Sequence, residues 1–160
     1  MPSDTSLRLP ALDPETVEPR LSTVYPAQFA DITKGREKRA LGNPLGLTQF
    51  GVNLTTLAPG AASALRHYHR DEDEFVFIVE GEATLITDAG EQILGPGMAA
   101  GFPAGTPDGH HLVNRSNAPV RYLEVGTRAQ AEYCVYPDVD LIAEKRDGVY
   151  RLSTKDGTPY

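Results

Sequence analysis

The chain has 160 residues, of which 15 are basic and 22 acidic, and its formal net charge at pH 7 is −7. This length suits one domain with one core, and the acidic balance argues against a nucleic-acid partner because phosphate binding needs a basic face. The single cysteine, Cys134, excludes an internal disulfide and is compatible with a reducing compartment.

The first 26 residues are rich in proline and acidic residues and show little hydrophobic periodicity. We expect residues 1–26 to form an extended arm. This segment lacks the basic start and apolar core of a secretory signal, and the chain contains no apolar run of transmembrane length. The sequence therefore predicts a cytoplasmic protein with no membrane partner. The charged run at residues 31–40 is interpreted as a solvated loop or short helix.

A β pattern begins at residue 47, where short runs of Val, Ile, Thr, Phe and Tyr alternate with turns rich in Gly, Pro, Asn and Asp. No stretch in this region has the period of a long amphipathic helix, so we expect an all-β sandwich or barrel. Residues 75–79 are all apolar, so both faces of this predicted strand are apolar, which predicts a strand buried on both sides. The predicted strands are 47–57, 64–69, 75–80, 83–87, 91–94, 98–102, 110–114 and 120–126.

The chain divides into three parts on this interpretation: the arm, a barrel with its entry segment at residues 27–135, and a C-terminal tail at residues 136–160 that packs on the barrel. The tail is expected to hold one short strand at 149–152. Open sandwiches leave sheet edges to protect, and the arm offers a short β fragment at Val24 and Tyr25. We therefore expect a homodimer in which this fragment pairs with the sheet edge of a neighbouring chain.

A cluster of metal-ligand residue types stands near the centre of the chain. His67 and His69 are one residue apart in a predicted strand, so both side chains lie on one face, roughly 7 Å apart along the strand. Glu74 follows a charged turn and begins the next predicted strand. With a third histidine from a distant strand, these groups suit a divalent Zn, Fe, Mn, Ni or Co ion.

The segment containing these residues resembles the first signature of the cupin superfamily, which is Gly, a spacer, His-x-His, three or four residues, Glu, six residues and Gly. His67, His69, Glu74 and Gly81 fit this pattern without a gap, and the spacer from Gly60 to His67 is one residue longer than usual. The resemblance covers roughly residues 47–126.

A second signature resembles the family pattern over Gly97, Pro103 and Gly105, followed by His110 and Asn114. The spacer from Gly105 to His110 is two residues longer than the standard form, so strict counting places Asp108 at the ligand position. We choose His110 because its spacing to Asn114 matches the family. His111 lacks that spacing and would point to the opposite face of the strand.

Membership of the cupin superfamily implies a double-stranded β-helix, or jelly-roll barrel, with one divalent transition metal inside it. The implied ligands are His67, His69, Glu74 and His110. The chain also resembles a group of small single-domain bacterial cupins of unsettled activity. Resemblance to the wider superfamily implies a metal-dependent enzyme acting on a small molecule by oxygenase, isomerase or lyase chemistry. The alternative is a non-catalytic protein that binds or senses a small ligand.

Two further residues and one strand are interpreted conservatively. Cys134 is taken as a small buried apolar residue because no Cys–His arrangement is evident, and His111 as a histidine outside the metal site. In the strand at residues 120–126, either Tyr122 and Glu124 or Arg121 and Leu123 could face the cavity, and the pattern leaves the choice open.

Overall fold

The computed structural model describes residues 7–160 and contains twelve strands within them. Two 3₁₀ turns, Pro14–Thr16 and Ala27–Thr33, precede the strands. The strands in chain order are β1 Arg36–Ala40, β2 Phe50–Leu57, β3 Tyr68–His69, β4 Glu74–Glu80, β5 Ala83–Thr87, β6 Gly90–Leu94, β7 Ala99–Phe102, β8 His111–Val113, β9 Val120–Thr127, β10 Glu132–Tyr136, β11 Leu141–Arg146 and β12 Val149–Ser153.

The strands form a jelly-roll barrel, as predicted. One sheet has five strands in the order β1-β2-β9-β4-β7. The other side of the barrel consists of a four-stranded sheet, β12-β11-β10-β3, and a three-stranded sheet, β6-β5-β8. An antiparallel bridge between His67 and His110 joins these two smaller sheets near the barrel interior.

The main core lies between the two sides of the barrel and takes residues from β2, β4, β5, β6, β8 and β9. On β4, Val76 and Ile78 are buried, whereas Phe75, Phe77 and Val79 are exposed by 43%, 36% and 46%. The prediction that this strand is covered on both sides is therefore wrong. Within the described residues no second layer covers the outer face of β4, so three of its five apolar residues stay at the surface.

The charged run at residues 31–40 contains a strand, which corrects the prediction of a loop or short helix. Arg36 is only 7% exposed and donates hydrogen bonds to the carbonyls of Ser63 and Ser22. Lys38 is ion-paired with Glu124 in the interior. Charged residues occupy this strand because each inward side chain finds an acceptor, and the residue types alone do not reveal those acceptors.

The C-terminal region contains more β structure than predicted. Strands β10 and β11 were not predicted, and they pair with each other and, through β10, with β3. A second core cluster forms here from Cys134, Tyr136, Leu141 and Ala143. The three-part division of the chain stays a prediction, although its second boundary falls inside β10.

The arm pairs with the sheet of its own chain. Arg20 forms an antiparallel bridge with Lys38 on the edge strand β1, with hydrogen bonds of 2.9 and 3.1 Å. Further along the arm, the ring of Tyr25 packs edge-on against Tyr136, with centroids 5.6 Å apart. The arm therefore covers the β1 edge near Arg20, while Val24 is 65% exposed.

Candidate metal centre

Four side chains from three segments converge inside the barrel, and they are the four predicted as ligands. The Oε2 atom of Glu74 lies 2.9 Å from Nε2 of His110. The same oxygen lies 3.8 Å from Nε2 of His69 and 4.0 Å from Nε2 of His67. A single carboxylate oxygen is thus surrounded by three imidazole nitrogens.

The backbone explains this convergence. His67 and His110 are directly opposed in their bridge, with the His67 N–H donating to the His110 carbonyl at 3.1 Å and the reverse bond at 2.8 Å. Opposed residues project from the same face, and the two ring centroids are 5.2 Å apart. Glu74 begins β4 and approaches the histidines from the opposite side of the barrel.

The three histidines have oriented rings. Nδ1 of His67 lies 2.7 Å from the carbonyl of Leu65, and Nδ1 of His110 lies 3.2 Å from the carbonyl of Asp108. Nδ1 of His69 lies 3.3 Å from a carboxylate oxygen of Glu132. The Leu65 carbonyl is an acceptor, so it favours a proton on Nδ1 of His67 and leaves the Nε2 lone pair of that ring free for a metal. Nε2 of His110 is hydrogen-bonded to Glu74 and would bind a metal in place of that contact.

The electrostatics fit a cation site. Burial lowers the pKa of His67 to about 4, so this ring is neutral at pH 7. Burial would raise the pKa of Glu74, but the hydrogen bond with His110 and the nearby His67 and His69 outweigh it and lower that pKa. Burial alone would lower the pKa of His69, but Glu132 and Glu74 raise it. The cluster therefore holds an ionised carboxylate beside imidazole donors.

The two residues considered as alternatives to His110 lie outside the cluster of proposed ligands. Nδ1 of His111 is 2.9 Å from the carbonyl of Ala64, outside the cluster around Glu74. Asp108, which strict counting places at the ligand position, accepts a 2.7 Å hydrogen bond from the backbone N–H of Asp88. The two extra residues therefore lengthen the turn before His110 and leave its register with Asn114 unchanged.

Two residues near the histidines were missed as site residues. Glu132 is 2% exposed, contacts His69 and accepts hydrogen bonds of 3.0 Å from the backbone N–H groups of Arg70 and Asp71. Cys134 is directly opposite His69 in the β10–β3 pairing, and its sulfur lies within 4.8 Å of ring nitrogens of His67 and His69. The available signal for this strand was its content of β-favouring residues, Tyr133, Val135 and Tyr136.

A cavity of about 1060 Å³ is lined by three of the four convergent side chains, His67, His69 and Glu74. On strand β9, Tyr122 and Glu124 point inward: Tyr122 is 1% exposed in the core, and Glu124 lines the cavity. Arg121 is on the other face and forms an ion pair with Glu15 of the arm. The face of β9 that carries Tyr122 and Glu124 is therefore the one that meets the cavity.

The donor set suits a transition metal. His67, Glu74 and His110 place one ligand atom each within 4.8 Å of one another, and His69 presents Nε2 to the same carboxylate oxygen. Imidazole nitrogen with carboxylate oxygen favours Zn, Fe, Mn, Ni or Co over hard cations. The arrangement leaves one side open to the cavity, where a small molecule can approach.

Comparisons with known proteins agree with this architecture. The sequence profile of the family described as "Cupin domain" matches residues 53–126. A crystal structure of a sugar phosphate isomerase of the cupin superfamily from Silicibacter pomeroyi is 45% identical, with a TM-score of 0.91, and the match covers 94% of this chain and 96% of that chain. No curated protein matches the chain.

Two further solved structures are more distant. A candidate sugar phosphate isomerase from Acidithiobacillus ferrooxidans is 26% identical, covers 78% of this chain and 80% of its own, and has a TM-score of 0.72. The polyketide cyclase RemF from Streptomyces resistomycificus is 22% identical over 73% of this chain and 78% of its own, with a TM-score of 0.61, which shows likeness of fold alone.

Within residues 7–160, no helix combines the length and the apolar character needed to cross a lipid bilayer. The cytoplasmic location stays a prediction.

Proposed function

The chain belongs to the cupin superfamily, and from this membership we propose that it is a metal-dependent isomerase of a small phosphorylated sugar. The observation that carries the proposal is the 45% identity, over 94% of the chain, to the Silicibacter pomeroyi protein named as a sugar phosphate isomerase. Among oxygenase, isomerase and lyase chemistry, this relative favours the isomerase.

The proposed ligands of the metal are His67, His69, Glu74 and His110. The three histidine Nε2 atoms all lie within 4.0 Å of Oε2 of Glu74, which supports this assignment. A divalent ion held there would supply Lewis acidity that draws electron density from a substrate carbonyl. Glu132 contributes by orienting the ring of His69.

The proposed site for the substrate phosphate is Arg128, which lines the cavity. Its guanidinium donates to two neutral acceptors, Oδ1 of Asn43 at 2.7 Å and the carbonyl of Leu47 at 3.1 Å. Among the described residues it has no carboxylate partner, whereas the cavity lysines Lys38 and Lys145 are each ion-paired. Arg128 therefore keeps its charge available for an anion, and arginine suits phosphate geometry.

The experiment that tests the function combines metal analysis with turnover. Protein purified without chelators is expected to contain about one transition metal per chain and to interconvert an aldose phosphate with its ketose, with D-ribose 5-phosphate and D-fructose 6-phosphate as first probes. Removal of the metal should abolish conversion and its return should restore it. Stabilisation by these sugars in a thermal shift assay, without any conversion, would instead favour the non-catalytic binding protein.

Arg128→Gln supplies the sharper arm of this test. A hydrogen bond to a charged group is worth roughly 1.5–3 kcal/mol, so KM for a phosphorylated sugar is expected to rise by at least about tenfold, with metal content unchanged. The control is Arg115→Gln, which removes an exposed arginine paired with Glu91 on the surface. An unchanged KM in Arg128→Gln would contradict the phosphate assignment.

We also propose that the protein is a homodimer that buries the exposed apolar face of β4. Phe75, Phe77 and Val79 stand on this face, and a continuous apolar surface of this kind is typical of an interface. Light scattering should give twice the 17.3 kDa mass of one chain. Phe75→Glu should shift the protein to monomer, whereas Leu21→Glu, at an exposed apolar residue of the arm, should not. A monomeric parent protein would overturn the proposal.

A further inference from the structure

A second polar cluster lines the same cavity, away from the histidines. It consists of Lys38, Asn53 and Glu124, which lie on the inner face of the five-stranded sheet. Nζ of Lys38 lies 2.6 Å and Nδ2 of Asn53 lies 3.1 Å from Oε1 of Glu124. The side chains of Lys38 and Glu124 are 15% and 16% exposed, so both remain reachable from the cavity.

The two oxygens of Glu124 have different surroundings. Both donors contact Oε1, and within the described part of the chain no group donates to Oε2. Among those residues Oε2 has no hydrogen-bond donor and is not a buried atom, so it is accessible from the cavity. The carboxylate is therefore held by one oxygen and presents the other to whatever enters the cavity.

The strand register places this cluster close to the proposed metal ligands. On β9 and β4, Glu124 is opposite Val76 and Gly126 is opposite Glu74. Glu124 and Glu74 are thus diagonal neighbours on one face, and such residues lie roughly 7–8 Å apart, with their β-carbons somewhat closer. A small molecule bound at Glu74 and the histidines would extend toward Glu124.

Two glycines provide the space between the clusters. Gly51 and Gly126 are opposite each other, in the same row as Glu74, and both line the cavity. Neither has a positive φ. A β-carbon at Gly126 would come no closer than 3.4 Å to Asp73 O, and one at Gly51 no closer than 3.6 Å to Arg128. The backbone does not require glycine here, and what the glycines supply is free volume.

From these observations we infer that Glu124 is the base that moves a proton between adjacent carbons of the substrate, with Lys38 and Asn53 holding the substrate oxygens. The inference rests on the proposed isomerase function and deepens it. Its substrate class is a polyhydroxylated aldehyde or ketone long enough to reach from the histidines across the glycine gap. The Lys38 ammonium balances the Glu124 carboxylate and stabilises negative charge that develops on a substrate oxygen.

The proton transfer is balanced without another reactant. Oε2 of Glu124 takes the proton from the carbon beside the carbonyl, the C–H electron pair forms a C=C bond, and the carbonyl π pair moves to oxygen. The neighbouring hydroxyl then gives its proton to that oxygen and becomes the new carbonyl. The C=C pair takes the proton back from Glu124 at the former carbonyl carbon. One aldose becomes one ketose.

The test measures deuterium exchange by Glu124→Gln in the full-length, metal-loaded protein. Each protein is incubated in D₂O with D-ribose 5-phosphate or D-fructose 6-phosphate, and NMR follows deuterium at the carbons that flank the carbonyl. General base catalysis contributes about 10²–10⁴-fold, so the variant should exchange at least about 100-fold more slowly with unchanged metal content. The control Glu91→Gln, an exposed ion-paired carboxylate, should match the parent protein.

The outcomes separate the two proposals. Exchange by the parent protein and equal exchange by Glu124→Gln would overturn the role of Glu124 and leave the isomerase intact. Conversion by the parent protein without uptake of deuterium would mean that the hydrogen moves as a hydride, and would also overturn the role of Glu124. No conversion of either sugar by the parent protein would overturn the isomerase, and the role of Glu124 with it. Because Glu124→Gln leaves the Lys38 charge unpaired, the double variant Lys38→Met, Glu124→Gln restores the balance. It should fold like the parent protein and show the same loss of exchange.

Discussion

His110→Ala is expected to remove the bound metal, while His111→Ala, at the next residue, retains it. His110 places Nε2 2.9 Å from Glu74 and is buried at the centre of the cluster, whereas His111 contacts a backbone carbonyl away from it. Loss of an outer partner of a metal ligand alone costs roughly 10–100-fold in affinity, so loss of a ligand should cost at least that. The measurement is metal per chain by mass spectrometry after dialysis against metal-free buffer.

A second readout does not depend on activity. A bound metal stabilises the folded protein by mass action, so added metal should raise the melting temperature of the parent protein and of His111→Ala but not of His110→Ala. His67→Ala should behave like His110→Ala, because Nε2 of His67 lies at 4.0 Å from the same Glu74 oxygen. Loss of metal in His111→Ala with retention in His110→Ala would show that the assignment of the second signature is wrong.

Gly81→Ala is expected to lower the free energy of unfolding by about 2–5 kcal/mol. Gly81 has φ +76°, and an added β-carbon would overlap Pro119 O and lie 2.9 Å from Val120 Cα. An L-residue in this region costs about 1–2 kcal/mol, and overpacking adds about 1–3 kcal/mol. Both contacts are to backbone of the strand that carries Glu124, so the neighbour cannot rotate away.

Gly97→Ala is the matched control for this change. Gly97 has φ +83°, nearly the same backbone conformation, but no atom within 4 Å of an added β-carbon. We expect it to lose only the conformational part, about 1–2 kcal/mol. Urea unfolding of both variants measures the difference. Equal losses in the free energy of unfolding would mean that the close approach to Pro119 does not destabilise the Gly81→Ala variant.

Three of the four proposed ligands were predictable from the sequence because their geometry is local. His67 and His69 share a strand face by their spacing alone, and Glu74 follows after one turn. His110 lies 43 residues after His67, and the backbone bridge between them is a tertiary contact. Only the resemblance of the second signature identified it, since a lone distant histidine carries no spacing signal.

The missed features depend on tertiary partners. Strand β1 reads as a solvated charge run because the acceptors for Arg36 and Lys38 come from other segments. Glu132 and Cys134 reach the histidines through β10, whose pairing with β3 is long-range. The sequence shows that Phe77 and Ile78 lie on opposite faces of a strand. It does not show that only the face with Ile78 packs against another layer.

The arm has two roles at once. Arg20 occupies the hydrogen-bonding edge of β1, and Leu12, Val17 and Tyr25 form part of the cavity wall. An open edge is a template for strand addition by another molecule. Protection of the β1 edge and the shape of the cavity wall therefore depend on one stretch of chain, so selection against strand addition would also restrict how freely that wall can change.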